Sequence, residues 1–150
     1  MIKLYLSLGF IFATIFSIHG DKSLKNNLMS MLDDEEKKYY NDIIKMRKTI
    51  YLQGLMLGFV CSLIFLFINK FKSKQVILLT SISITFVINY FYYILYPKKK
   101  YMISILNSKK ENKAWLKIYK TMQIRYHVGF LFGLGAAFFM QSFILDKKLK

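Results

Sequence analysis

Tyr51-Leu52-Gln53-Gly54-Leu55-Met56-Leu57-Gly58-Phe59-Val60-Cys61-Ser62-Leu63-Ile64-Phe65-Leu66-Phe67-Ile68 contains no charged side chain. Hydrocarbon offers backbone N–H and C=O groups no partner, so a segment crossing it must be a helix of about 20 mostly apolar residues. This run meets that requirement. So do residues 75–97, where Asn89 is the most polar interior side chain, and residues 128–145, which hold Gln141 but no charge before Asp146. Residues 4–18 form a fourth apolar segment with two readings. Its end, Ser17-Ile18-His19-Gly20, allows a signal peptide comprising residues 1–20, although Ile18 stands where a small residue is preferred. The other reading is a retained first span, favoured here because the rest of the chain supplies a reason to keep it.

That reason is an internal echo. Shifted by 75 residues, Glu36 falls on Glu111, Lys38 on Lys113, Ile43 on Ile118, Lys45 on Lys120, Tyr51 on Tyr126, Gly54 on Gly129 and Gly58 on Gly133. These are seven identities in the 26 ungapped positions from Asp33 to Gly58, where composition alone gives about two. Asp33-Asp34-Glu35-Glu36 and Ser108-Lys109-Lys110-Glu111 both read as capping boxes that open a helix. Tyr39, Ile43, Met46 and Ile50 then recur at helical spacing, as do Trp115, Ile118, Met122 and Tyr126. The expected fold is an all-α integral membrane protein, a single domain over residues 1–150. It is a four-span helical bundle made of two repeats, 1–70 and 76–145, each a span, an amphipathic helix and a second span. Tyr39, Ile43, Trp115, Ile118 and Met122 are expected to form the seam between the amphipathic helices.

Both repeats carry GxxxG followed by a small residue: Gly54, Gly58 and Ser62 in one, Gly129, Gly133 and Ala137 in the other. Glycines four apart share a helix face and let a second backbone approach, the contact that drives helix association in lipid. The two faces are expected to pack on each other across the bundle. Homo-oligomerisation through one of them is the alternative, and glycine is in any case common in membrane helices. Tyr51 and Tyr126, at the span entrances, suit the interfacial aromatic belt.

Composition bounds the partners. The chain is 55% hydrophobic and 17% aromatic, with mean hydropathy +0.31 and net charge +15. Its charges lie between apolar blocks, as in a multi-span protein with basic loops. Lys98, Lys99, Lys100, Lys109, Lys110, Lys113, Lys117 and Lys120, with Trp115 among them, are expected to meet anionic lipid headgroups or a partner protein; interfacial anchoring suits the interleaved Tyr101, Trp115 and Tyr119 better than nucleic-acid contact. Lys70, Lys72, Lys74, Lys147, Lys148 and Lys150 flank the other ends of the spans. Residues 21–50 and 98–127 hold 16 of the 23 Lys+Arg, which by the positive-inside rule puts these long connections in the cytoplasm and both termini outside. A cleaved signal peptide reverses that orientation.

No catalytic constellation is legible, and neither an enzyme, a cofactor nor a metal site is expected. His19 and His127 have no acid nearby in sequence, and the lone Cys61 lies within a span. The four spans lack Asp and Glu, which disfavours a proton-coupled carrier or an ion pump. Gln53, Asn69, Asn89 and Gln141 could line a polar path or hydrogen-bond between helices.

The run Ala114-Trp115-Leu116-Lys117-Ile118-Tyr119-Lys120-Thr121-Met122-Gln123, followed by Tyr126-His127-Val128-Gly129-Phe130, resembles small multi-span membrane proteins of nucleocytoplasmic large DNA viruses. Tyr51-Leu52-Gln53-Gly54 and Tyr96-Pro97-Lys98 share the resemblance, which extends over about residues 40–140. It implies a protein of the virion's internal membrane, or of the host endoplasmic reticulum from which that membrane derives, and it carries no functional residues over. The leading expectation is a structural scaffold, anchor or assembly factor, with anionic lipids, a second copy or a capsid or scaffold protein as partner. The rival is a small oligomeric channel resembling a viroporin.

Overall fold

A computed structural model describes residues 2–18, 22–68 and 74–148. His19, Gly20, Asn69, Lys70, Lys72 and Lys150 lie outside them. Among the described residues the chain is all-helical: α1 (Ile2–Ile18), α2 (Lys22–Met29), α3 (Asp34–Ile68), α4 (Lys74–Leu95) and α5 (Lys109–Lys148), with one 3-10 turn, Met102–Ser104, between the last two. Four stretches are long and apolar enough to cross a membrane: Ile2–Met29, which runs over residues outside the described ones, Asp34–Ile68, Lys74–Leu95 and Lys109–Lys147.

Both long helices begin where the caps were expected. The Asp33 N–H donates to Glu36 Oε2 (3.0 Å) and the Glu36 N–H donates to Asp33 Oδ1 (2.8 Å). The Ser108 N–H donates to Glu111 Oε2 (3.0 Å) and the Glu111 N–H donates to Ser108 Oγ (3.1 Å). Each pair satisfies two otherwise orphaned donors. Helix α4 stops at Leu95, two residues before Pro97, where the proline ring disfavours helical geometry for Tyr96. No proline or glycine interrupts the joint between amphipathic and apolar halves, so α3 and α5 run 35 and 40 residues without a break.

The apolar half consists of two antiparallel helix pairs, α1 with α5 and α3 with α4. In the first, the buried Ser7 hydroxyl donates to the Ala136 carbonyl (2.9 Å). Phe10 stacks on Phe139 at 5.6 Å and tilts against Phe132 at 5.8 Å, and Lys3 pairs with Asp146 at the far end (2.7 Å). In the second, Gly54 faces Asn89 and Tyr92, and Gly58 faces the Thr85 backbone. The two pairs meet through aromatic rings of α4 and α5: Tyr90 stacks on Phe130 (3.6 Å) and Tyr126 (5.2 Å), and Tyr93 packs on Tyr126 (5.1 Å).

This arrangement corrects the expectation that the two glycine faces meet. Each meets the helix beside it: Gly54 and Gly58 approach α4, and Gly129 approaches Ser17 of α1. The physical reason is shape. Thr85 and Ser17 leave room for a backbone to come close, while Phe10, two turns from Ser17 on α1, packs against Phe132 and Phe139. Space beside Gly133 is left open, and a side chain added there would meet nothing within 4 Å; Gly135 is the glycine that Phe10 covers.

Beyond the apolar half, α2, the first turns of α3 and α5 and the 97–108 connection pack into a lobe. Its core is Leu28, Leu32, Tyr40, Ile43, Met102, Leu106 and Ile118, with Tyr39, Trp115 and Ala114 against it. Leu28 and Met102 are fully buried. Complete burial of one such side chain contributes about 1.5–3 kcal/mol. Tyr40 and Trp115 meet edge to face at 6.2 Å, the geometry aromatic quadrupoles prefer.

Candidate functional site

The lobe carries most of the chain's charge, unevenly. Residues 98–127 hold nine Lys+Arg against one acid, Glu111; residues 22–50 hold seven against five. The lysines of the first group divide by task. Lys98 and Lys100 turn back onto the chain rather than outward to lipid or a partner. The Lys98 ammonium donates to the Tyr93 and Ile94 carbonyls at the end of α4 and lies over the Tyr93 ring. These carbonyls have no partner within their own helix, and a cation there also suits the negative end of the helix dipole. Burial, with Arg47 nearby, pushes the Lys98 ammonium below the ordinary lysine range.

Lys100 fastens the connection to α3. It pairs with Asp42 at 3.1 Å and sits over the Tyr39 ring. Its hydrogen bond, together with its charge, holds the Asp42 carboxyl below the ordinary value of 3.8. The Tyr39 and Ser104 hydroxyls approach at 3.4 Å, and Arg47 lies over the Tyr101 ring. Met102 and Leu106 enter the core beneath these contacts. Burial also pushes the Tyr40 phenol up.

Lys99, Lys109, Lys110, Lys113, Lys117 and Lys120 are exposed. Lys109, Lys113, Lys117 and Lys120 are spaced four, four and three residues apart, and so lie on one face of α5. Ile118 is buried on the opposite face, with Ala114 half-buried beside it. Trp115 is half-buried against Tyr40 and Tyr119, so its ring serves the lobe core. Of the expected seam, Tyr39, Ile43, Trp115 and Ile118 are in place, whereas Met122 is 52% exposed.

Among the described residues, polar groups inside the apolar half do not converge on one path. Asn89 is buried against Gly54 in the α3–α4 pair, with its Oδ1 lacking a hydrogen-bond partner. Gln141 is half-buried on α5. The Tyr90 hydroxyl and His127 Nδ1 lie 2.6 Å apart, joining α4 to α5. Ser62 bonds its own helix at the Phe59 carbonyl, and Ala137 is half-buried. Among the described residues no three His, Cys, Asp or Glu side chains gather as metal ligands would.

Several residues that build the site escape the sequence pattern. Asp42 is the acid on a lysine-rich stretch of α3, a signal available in hindsight. Leu28 lies in the eight-residue helix α2, Met102 in a single 3-10 turn, and Leu32 and Leu106 in connections, all too short for a periodicity to reveal them. Comparison with protein-family models, curated proteins and solved structures finds no match to this chain.

Proposed function

We propose that this chain is a multi-pass membrane protein with a structural role: four spans anchor it, and the lobe holds a basic surface outside the membrane for a binding partner. The observation that carries this reading is the continuity of α3 and α5. At about 1.5 Å per residue, helices of 35 and 40 residues are about 52 and 60 Å long. A bilayer core takes up about 30 Å of each. The remaining 20–30 Å, roughly, projects beyond it, and the lobe core ties both projections together. A packed lobe on rigid stalks is suited to link a membrane to a scaffold or to shape it during assembly.

Two finer readings accompany this one. The first is duplication. What supports it is that the caps at Asp33 and Ser108 are 75 positions apart, and that Gly54 meeting Tyr92 and Gly129 meeting Ser17 are related by that same shift. On this reading the second span of each repeat packs on the first span of the other, which makes α1 an integral member; its contacts with Ala136, Phe139 and Asp146 favour retention over cleavage. The second is location, an internal membrane of a large DNA virus or the endoplasmic reticulum behind it, which rests on the resemblance of residues 40–140.

The test is to express the full chain in membranes and measure resistance to alkaline extraction, mature mass and protease protection of the 98–108 connection. Proteoliposomes are then assayed for ion conductance. Alkali-resistant protein that starts at Met1 and does not conduct supports the anchored scaffold. Alkali-extractable protein refutes it, and conductance sensitive to Asn89 or Gln141 substitution supports the channel instead.

A further inference from the structure

The exposed lysine row on α5 runs beyond the headgroups of its own membrane. Tyr126 marks the span entrance, and Lys120, Lys117, Lys113 and Lys109 lie six, nine, thirteen and seventeen residues before it. At about 1.5 Å per residue these are heights of roughly 9, 13, 20 and 25 Å. A helix tilt of about 20° shortens them by less than a tenth. Electrostatic attraction to anionic lipid fades over a Debye length of about 8 Å at physiological ionic strength. With a headgroup layer of about 5–7 Å outside the span entrance, Lys113 and Lys109 lie beyond the reach of their own bilayer, and Lys117 stands at its edge.

The row's shape narrows what it can bind. It runs along the helix axis and so stands upright on the membrane. A second bilayer lying opposite would meet the outer end of the lobe, where Asp33, Asp34 and Glu35 are exposed at the start of α3 and Lys109 and Lys110 at the start of α5. That end is of mixed charge and repels anionic lipid as much as it attracts it. The side of α5 is different. Leu116, 47% exposed, lies between Lys113 and Lys117, and Ile124, 63% exposed, lies one turn past Lys120 toward the span. A nucleic-acid phosphate backbone would leave both in water, and the row contains no arginine to read bases bidentately.

Resting on the scaffold reading above, we infer that this face of α5 is a docking strip for an acidic amphipathic helix of a partner protein, laid along the stalk. Carboxylates spaced three or four residues apart on that helix would face Lys109, Lys113, Lys117 and Lys120, and its apolar side chains would cover Leu116 and Ile124. Charge sets the approach and orientation; the apolar pair sets specificity.

The test uses the full chain in nanodiscs of zwitterionic lipid. The probes are a synthetic amphipathic peptide with Glu at four-residue spacing beside a leucine stripe, a scrambled peptide of equal charge, phosphatidylserine vesicles and duplex DNA. The amphipathic peptide is expected to bind best, in a salt-sensitive way. Lys109→Gln, Lys113→Gln and Lys117→Gln together should weaken it by about tenfold, as three exposed charge pairs would. Leu116→Ser should erase its advantage over the scramble. Because all four positions are exposed, unchanged Trp115 fluorescence should certify that the lobe stays folded. Equal binding of the scramble, indifference to the lysine changes, or a preference for vesicles or DNA overturns the inference. Such a failure in protein that stays alkali-resistant and non-conducting removes the strip and leaves the scaffold reading standing.

Discussion

The four glycines of the two GxxxG motifs look equivalent in sequence but should respond very differently to alanine. At Gly58 the new Cβ would lie 2.4 Å from the Thr85 carbonyl oxygen and 3.0 Å from the Thr85 Cα. Both are backbone atoms of α4, so no rotamer relieves the clash and the helices must separate. Overpacking of this kind costs about 1–3 kcal/mol, and the rigid neighbour puts Gly58→Ala near the upper end, roughly 2–3 kcal/mol. At Gly54 the obstacles are side-chain atoms, Asn89 Oδ1 at 2.7 Å and Tyr92 Cδ1 at 2.9 Å, in a buried contact with some freedom to shift, so about 1–2 kcal/mol is expected. At Gly129 only the Ser17 hydroxyl is close, at 2.5 Å, and the next atom is 3.7 Å away. Rotating Ser17 gives up its bond to the Thr14 carbonyl, worth about 0.6 kcal/mol in a membrane helix. At Gly133 nothing is within 4 Å, and alanine's better helix propensity should leave Gly133→Ala neutral or stabilised by up to about 1 kcal/mol. Thermal unfolding of the purified variants in one detergent should rank them Gly58, Gly54, Gly129, Gly133, from most to least damaged. Equal damage at Gly58 and Gly133, or no damage at Gly58, would refute this assignment of helix neighbours.

Three further outcomes follow from the lobe and the helix pairs. Ile118→Ala should cost about 2–5 kcal/mol by opening a cavity in the lobe core, making the 98–108 connection sensitive to protease, while Met122→Ala, on the exposed side, should change stability by less than about 0.5 kcal/mol. Asp42 is held below its ordinary pKa of 3.8 by Lys100, so its ionised form favours the fold; that contribution is complete above the ordinary value and is lost as pH falls through the folded one. Trp115 fluorescence should therefore report loosening of the lobe on acidification below about pH 4, less so in Asp42→Asn, whose lobe is already loosened at neutral pH; identical profiles would count against the Asp42–Lys100 tie. Finally, cysteines replacing Ser17 and Gly129 should cross-link in membranes, whereas cysteines replacing Gly58 and Gly133 should not, and the reverse pattern would restore direct contact between the two glycine faces.

Much of the helical scaffold could be read from the chain because it rests on local signals. The reciprocal caps at Asp33–Glu36 and Ser108–Glu111 need only four residues each, and charge-free runs of 18 or more residues mark apolar helices by length. Helix neighbours were not legible, because they depend on matching surfaces far apart in sequence. Gly58 is close-packed because the Thr85 backbone of α4 lies against it, whereas nothing lies within 4 Å of a side chain added at Gly133. The fate of the lysines was hidden for the same reason. Lys98, Lys99 and Lys100 are one run in sequence, but Lys98 caps the helix just ended, Lys100 reaches Asp42 and Lys99 faces outward. Nothing in a row of three identical side chains records that division.

Two cores of opposite surroundings share the same pair of helices, and the change between them is abrupt. On α3 it falls between Arg47 and Tyr51, and on α5 between Arg125 and Tyr126. On one side of that level the outward surface is lysine-rich. On the other it is Met56, Phe59, Phe67, Leu131 and Phe138, all exposed, which water would penalise and acyl chains would not. A helix without a break across this level cannot bend there cheaply, since kinks need a proline, a glycine–serine pair or an inserted group. Force applied to the lobe therefore passes into both helix pairs, through α3 to α4 and through α5 to α1. A flexible tether would need a linker at this level and would transmit none of that force. The uninterrupted joint suits an anchor, and it supports the proposed scaffold over a loosely attached binding module.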